Sequence, residues 1–376
     1  MTLSFTDEQE ELRISVRRFL ADKAPTESVR LSMETAEGHD HAVWAQMAGQ
    51  LGLQGIVLPE QHGGMGFGPI ELSIVLEELG RALSPEPFLS SVAFAGRALA
   101  ISDDVEAMRR WLPGIVDGSL TAALAVSEES GSSSLDDVST TAEPSGAEFA
   151  LTGVKMFVID GDSSDLLLVA ARTDHDLALF AVESEEGVTR TRLAAVDPTR
   201  RLARLEFAGT PARRIEARSG HLREVLDLAI IALAAEQVGG AQACLDMTVE
   251  YAKVRVQFGR QIGSFQAIKH KCADMLLQLE AARSALYHAV AIAAARDGTD
   301  SADLSSAAAV CGAWCGQAFT HLAKEMIQIH GGVGYTWEHD AHLYLKRAKS
   351  SELLLGSPVM HRARLADLVN IRGGNS

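Results

Sequence analysis

The sequence predicts an α+β chain in which a β-rich segment separates two helical ones. Three observations point there. Apolar residues recur at three- and four-residue spacing up to about Leu112. Short apolar runs broken by Gly, Ser and Asp clusters fill the stretch from about Leu120 to Ala217, and long helical patterns return from about His221. The corresponding divisions are residues 1–118, 119–217 and 218–376.

In the first division, Leu12, Val16, Phe19 and Leu20, then Ile70, Leu72, Val75 and Leu79, mark amphipathic helices. A Pro- and Gly-rich turn over residues 59–66 interrupts them. In the middle division, residues 122–126, 166–170 and 177–182 read as strands, and residues 130–134 and 160–165 as polar surface loops. In the last, residues 222–253, 265–295 and 302–330 read as long helices. Two of them approach 30 residues, so they are expected to pack as a bundle.

The 376 residues are 47% hydrophobic and 22% charged, ordinary for a soluble globular protein. A net charge of −16 argues against an electrostatic grip on nucleic acid or an anionic membrane. A local basic patch still suffices for an anionic cofactor or a CoA ester. The start, MTLSFTDEQEELR, is acidic and amphipathic rather than a secretory leader, and no apolar run of roughly 18 residues is evident, so a cytoplasmic protein is expected. Cys244, Cys272, Cys311 and Cys315 lie in apolar helical sequence, where no companion ligands complete a metal set. Trp337-Glu338-His339-Asp340 reads as a structured loop, because consecutive residues do not present one metal-binding face.

Two stretches carry chemistry. The first is Tyr251-Ala252-Lys253-Val254-Arg255-Val256-Gln257-Phe258-Gly259-Arg260-Gln261-Ile262-Gly263-Ser264-Phe265-Gln266. It reads as a helix ending in a basic turn, with Ser264 the expected N-cap of the next helix and Arg255 a planar fork suited to a pyrophosphate. Taken alone, such a corner also reads as solvated surface. The second is Gln328-Ile329-His330-Gly331-Gly332-Val333-Gly334-Tyr335, whose glycines let backbone approach a ligand. His330, at a helix end beside them, is expected to orient or cap rather than to catalyse.

Arg-x-x-Phe-Gly, then Gln266, then Gln-x-His-Gly-Gly-x-Gly about sixty residues on, resembles the C-terminal domain of acyl-CoA dehydrogenases. Phe5-Thr6-Asp7-Glu8-Gln9, Pro59-Glu60-Gln61-His62-Gly63-Gly64-Met65-Gly66 and Glu77-Glu78-Leu79-Gly80-Arg81 extend the resemblance along nearly the whole chain. It implies that family's fold: an N-terminal helical domain, a middle β-domain and a C-terminal four-helix bundle. It also implies FAD, a tetramer and an acyl-CoA substrate such as a fatty acyl or sterol side-chain thioester. Residues matching Arg255, Phe258, Gln266, Gln328, Gly331 and Gly332 contact the FAD of a neighbouring subunit in that family, and Phe157 matches a ring that packs on the flavin.

The resemblance fails at the catalytic base. Family members remove the α-proton of the thioester with a glutamate while the β-hydrogen leaves as hydride to the flavin. Aligned on Arg347-Ala348-Lys349, that glutamate is Leu355, and the alternative position on the preceding long helix is about Ala229. Neither side chain accepts a proton. Glu236, two turns past Ala229 and so roughly 10 Å along the axis, and Glu352 are the nearest substitutes; Glu224 and Asp227 are expected to face solvent. The flavin-facing loop resembled by residues 127–134 lacks its proline, and Ile159 replaces a threonine that hydrogen-bonds the flavin. Losing base and flavin bond together implies a base-deficient subunit of a heteromeric acyl-CoA dehydrogenase. The alternatives are a self-sufficient enzyme with a displaced base (Glu236 or Glu352), or a binding module that keeps the fold.

Overall fold

Thr6 opens the first helix by a reciprocal cap: its hydroxyl accepts from the Gln9 amide while the Gln9 side chain accepts from the Thr6 amide. The computed structural model describes residues 5–132, 134–295 and 301–369, so Ser133 of the serine-rich loop lies outside the described residues. Helices α1 Asp7–Lys23, α2 Thr26–Ser32, α3 His41–Leu51, α4 Pro69–Arg81, α5 Arg97–Ala100 and α6 Val105–Asp117 precede the sheet. Strands β1 Ala122–Ala125, β2 Thr141–Ser145, β3 Glu148–Ile159, β4 Leu166–Arg172, β5 Leu177–Val182, β6 Val188–Arg192 and β7 Leu202–Arg214 form it. Then follow α7 His221–Val254, β8 Val256–Gln257, β9 Arg260–Gln261, α8 Gln266–Ala294, α9 Ser301–His330, α10 Ala341–Ser351 and α11 Pro358–Leu368. The three long helices lie where the apolar spacing puts them, and the order helical, β, helical makes the chain α+β.

The chain packs as two compact units, neither continuous in sequence. One comprises residues 1–30, 73–84 and 230–376. Within it α9 packs against α8, α10 and α11. The end of α4 crosses α7 with backbones in contact: a Cβ at Gly80 would lie 2.0 Å from the Glu236 carbonyl oxygen, and one at Gly239 would lie 1.8 Å from that of Glu77. Only glycine permits that approach. Arg13 and Arg17 of α1 pair with Glu77 and Glu78 at 3.0 and 2.7 Å. The α7 helix is long and apolar enough to cross a bilayer by length and composition, unlike the expectation from sequence, yet 94% of its most apolar window is buried in protein. That is the composition of a core helix.

The other unit comprises residues 31–72 and 85–229. Its strands run in the order β1-β4-β2-β3-β7-β5, β5 returns to β4, and β6 pairs with β7, so the sheet closes on itself around Leu151, Leu167, Val169, Phe180, Leu205 and Phe207. Closure leaves only β1 and β6, among the described strands of this sheet, with a single partner. A π-helical segment, Leu89–Gly96, lies against β1, where the Ser91 hydroxyl accepts from the Ala122 amide at 2.9 Å.

Candidate cofactor site and the position of the base

The corner after α7 is a β-hairpin rather than a bare helical turn. Val256 pairs with Gln261 and Gln257 with Arg260, leaving Phe258 and Gly259 as a two-residue turn with φ of 53° and 77°. Both positive values define a type I′ turn, which costs a non-glycine residue strain. Phe258 bears it while 92% exposed. Its ring lies edge-to-face with that of Phe265, centroids 6.1 Å apart.

Arg255, Gln266 and Gln328 are exposed, and their side chains form no hydrogen bond or ion pair among the described residues. Ser264 is not the N-cap of α8. Its hydroxyl donates back to the Gln261 carbonyl at 2.6 Å, and the cap position falls to Phe265, which offers no side-chain acceptor. A 3-10 turn over Ile262–Ser264 takes up Ser264, and α8 starts after it at Gln266. The consequence is a helix N-terminus with no side-chain cap, an arrangement suited to an anion.

At the end of α9, Gly331 has φ of 64°, and a Cβ on either Gly331 or Gly332 would meet nothing within 4 Å. The loop therefore presents bare backbone. Just before it, His330 is buried, its Nδ1 lying 2.8 Å from the Met326 carbonyl oxygen. Burial pushes its pKa below the ordinary value. The ring is thus tied to the backbone one turn behind it, inside the end of α9.

Leu355, at the position of the base, is half-buried with φ of 56°, left-handed like the glycine after it. The substitute acids are both engaged. Glu236 is buried and pairs with the buried Arg347 at 2.8 Å. Glu352 pairs with Lys349. Asp227 does not face solvent: it is buried, since α7 is enclosed on that side, whereas Glu224 is half-buried and pairs with Arg218.

In the second unit, Ser127 and Glu128 are bolted to Lys155 and Met156. Lys155 is fully buried and donates to Glu128 at 2.7 Å and to the Val126 carbonyl at 3.1 Å, while Glu128 also accepts from the amide and hydroxyl of Thr140 at 2.9 and 2.7 Å. Burial alone would raise the Glu128 pKa, but Lys155 and the hydroxyl and amide donors hold it at about 2. Burial pulls Lys155 down to about 8, so the pair is ionic at neutral pH. The Met156 amide donates to the Ser127 carbonyl at 2.8 Å. Between Lys155 and Val158 the β3–β7 register slips, and Phe157, at φ of 57° and 41% exposed, is the residue the bulge turns outward. Neither bulge nor buried pair was visible in the sequence, although Lys-x-Phe opposite a Ser-Glu-Glu loop was the available signal. Ile159 is buried, and Asp160 is not surface: it is buried and accepts from the Ser90 hydroxyl at 2.5 Å, with burial pushing its pKa up to about 6.

These features define a flavoprotein architecture, and the comparisons agree. Family models described as the N-terminal, middle and C-terminal domains of acyl-CoA dehydrogenase match residues 6–119, 123–209 and 222–369. The chain belongs to the acyl-CoA dehydrogenase family. It is 36% identical over 353 residues to the acyl-CoA dehydrogenase IpdE2 of Mycobacterium tuberculosis, covering 94% of each chain. Among solved structures it is similar to a variant of the Tcur3481–Tcur3483 steroid ACAD, with 32% identity, TM-score 0.89 and coverage of 98% of this chain and 99% of that one. It is likewise similar to the ChsE4–ChsE5 complex of Mycobacterium tuberculosis, with 29% identity, TM-score 0.91 and coverage of 98% and 99%.

The cofactor of this family is FAD, which when bound accepts a hydride from the substrate. The residues present suit its diphosphate: an unpaired guanidinium, an uncapped helix start and glycine backbone with open space before it.

Proposed function

We propose that this chain is the base-deficient subunit of a heteromeric, FAD-dependent acyl-CoA dehydrogenase, and that it completes the FAD site of a neighbouring, catalytically complete subunit. One observation carries the reading. Arg255, Gln266 and Gln328 stand exposed and without side-chain partners among the described residues, while Leu355 occupies the base position and Glu236 and Glu352 are both held in ion pairs. Exposed polar groups clustered with the strained Phe258 turn suit a ligand held outside the unit. An acid neutralised by a buried arginine is a poor acceptor for an α-proton. In the assembly, Arg255 and the Gly331–Gly332 backbone hold the diphosphate and Phe258 covers the dinucleotide, whereas α-proton abstraction falls to the partner.

Two similar structures, Tcur3481–Tcur3483 and ChsE4–ChsE5, are named for two gene products each, which supports a heteromer, a tetramer of two subunit types by family precedent. The steroid in the first of these names supports a sterol side-chain CoA thioester as substrate. The displaced-base reading loses support from the two ion pairs.

Expression alone and with a second, base-containing acyl-CoA dehydrogenase subunit from the same host tests this. The expected result is a chain that is colourless and inert alone and gains FAD and activity with its partner. A yellow protein that bleaches with a sterol side-chain acyl-CoA when expressed alone overturns the reading.

A further inference from the structure

Two parts of the proposed grip have no side-chain contact of their own to fix them among the described residues. Gly331 and Gly332 carry no side chain and face open space, and the Arg255 guanidinium has no partner among the described residues. Their positions are set by what lies just behind them. Tyr251 precedes Arg255 by one helical turn, and the Arg255 amide donates to the Tyr251 carbonyl at 2.9 Å. His330 directly precedes Gly331. The Tyr251 and His330 rings stack with centroids 4.2 Å apart and planes 22° apart, and the Tyr251 hydroxyl donates to the His330 carbonyl at 3.4 Å. His330 is itself fixed on both remaining sides. A carbonyl only accepts, so the bond to Met326 places the proton on Nδ1, and the His339 ring lies 4.6 Å away.

We infer that Tyr251 and His330 are positioning residues for the dinucleotide: their stack sets the spacing between the Arg255 fork and the Gly331–Gly332 backbone. The inference rests on the proposed FAD grip and deepens it. The argument is geometric. One ring is rooted in α7 and ends one turn from the cation; the other is rooted in α9 and ends at the glycines. Sliding either helix by the width of a ring would part the two groups that must reach one diphosphate.

The test uses the flavin-loaded assembly purified from the native host, with FAD release followed by recovery of flavin fluorescence and Tm measured on the flavin-stripped form. Tyr251→Leu is expected to weaken FAD binding about tenfold, the upper worth of an aromatic pair. Tyr251→Phe keeps the ring and is expected to stay within about twofold, and neither is expected to move the Tm of the stripped assembly by as much as its FAD affinity implies. FAD held normally by Tyr251→Leu, or lost equally by Tyr251→Phe, overturns the inference. Should Tyr251→Leu fail to assemble, His330→Leu makes the same test from the other ring. Arg255→Ala separates the two levels. If it releases FAD and Tyr251→Leu does not, only the positioning role falls; if it holds FAD unchanged, the grip itself falls.

Discussion

The corner at residues 251–266 with the loop at 328–332, and the pair of segments at 127–134 and 155–160, handle polar groups in opposite ways. In the first, Arg255, Gln266 and Gln328 are exposed and unsatisfied within the described chain. In the second, Glu128, Lys155 and Asp160 are buried and satisfied by one another or by Ser90 and Thr140. The difference teaches what each is for. A charged group left open to water costs little and stays available to the proposed ligand, whereas a buried one must find its partner inside or destabilise the fold.

The sharpest way to break this comparison is to remove one member of the buried pair. Lys155→Met leaves Glu128 desolvated and is expected to cost about 3–5 kcal/mol in denaturant unfolding, with part regained in Lys155→Met/Glu128→Gln. A loss under about 1 kcal/mol would mean the pair behaves like a surface one. Asp160 sets a pH signature. Its folded pKa, about 6, lies above the ordinary 3.8, so the folded state binds the extra proton, and the stability it contributes is present below about pH 4 and lost as pH rises through 6. Asp160→Asn keeps an acceptor for Ser90 without the buried charge. It is expected to be more stable than the parent by roughly 2–3 kcal/mol at pH 8 and to show no such gain at pH 4; equal Tm differences at both pH values would exclude a buried titrating carboxylate.

On the open side the effects are smaller and appear in binding rather than in folding. Arg255→Ala is expected to weaken FAD retention by the assembly about ten- to hundredfold, with Tm of the flavin-free form essentially unchanged. A matching loss of Tm would place Arg255 in the structural class after all. Smallest is Gly331→Ala. With φ of 64° and open space around the missing Cβ, only backbone strain opposes it, a cost of about 1 kcal/mol seen in thermal unfolding. A much larger drop would reveal a packed loop, contrary to the bare backbone described.

The sequence by itself determined the helical, β, helical order, the three long helices and the residue types able to meet a diphosphate. Apolar periodicity and the Arg-x-x-Phe-Gly and Gly-Gly-x-Gly spacings are local patterns, and local patterns are written in one dimension. It also showed that Leu355 and Ala229 are not bases, since that needs only residue identity. Tertiary structure alone decided which polar groups are spent and which are free. Whether Glu236 is a candidate base or the partner of Arg347 depends on a residue more than a hundred positions away. Asp160 and Asp227 read as surface from their neighbours and are buried by segments remote in sequence. Ser264 lost the cap of α8 to the hairpin geometry, and Phe157 was turned outward by a register slip against β7. Burial and pairing are properties of contacts between distant parts of the chain. That is why the motifs were legible in advance and the division between a braced region and an open grip was not.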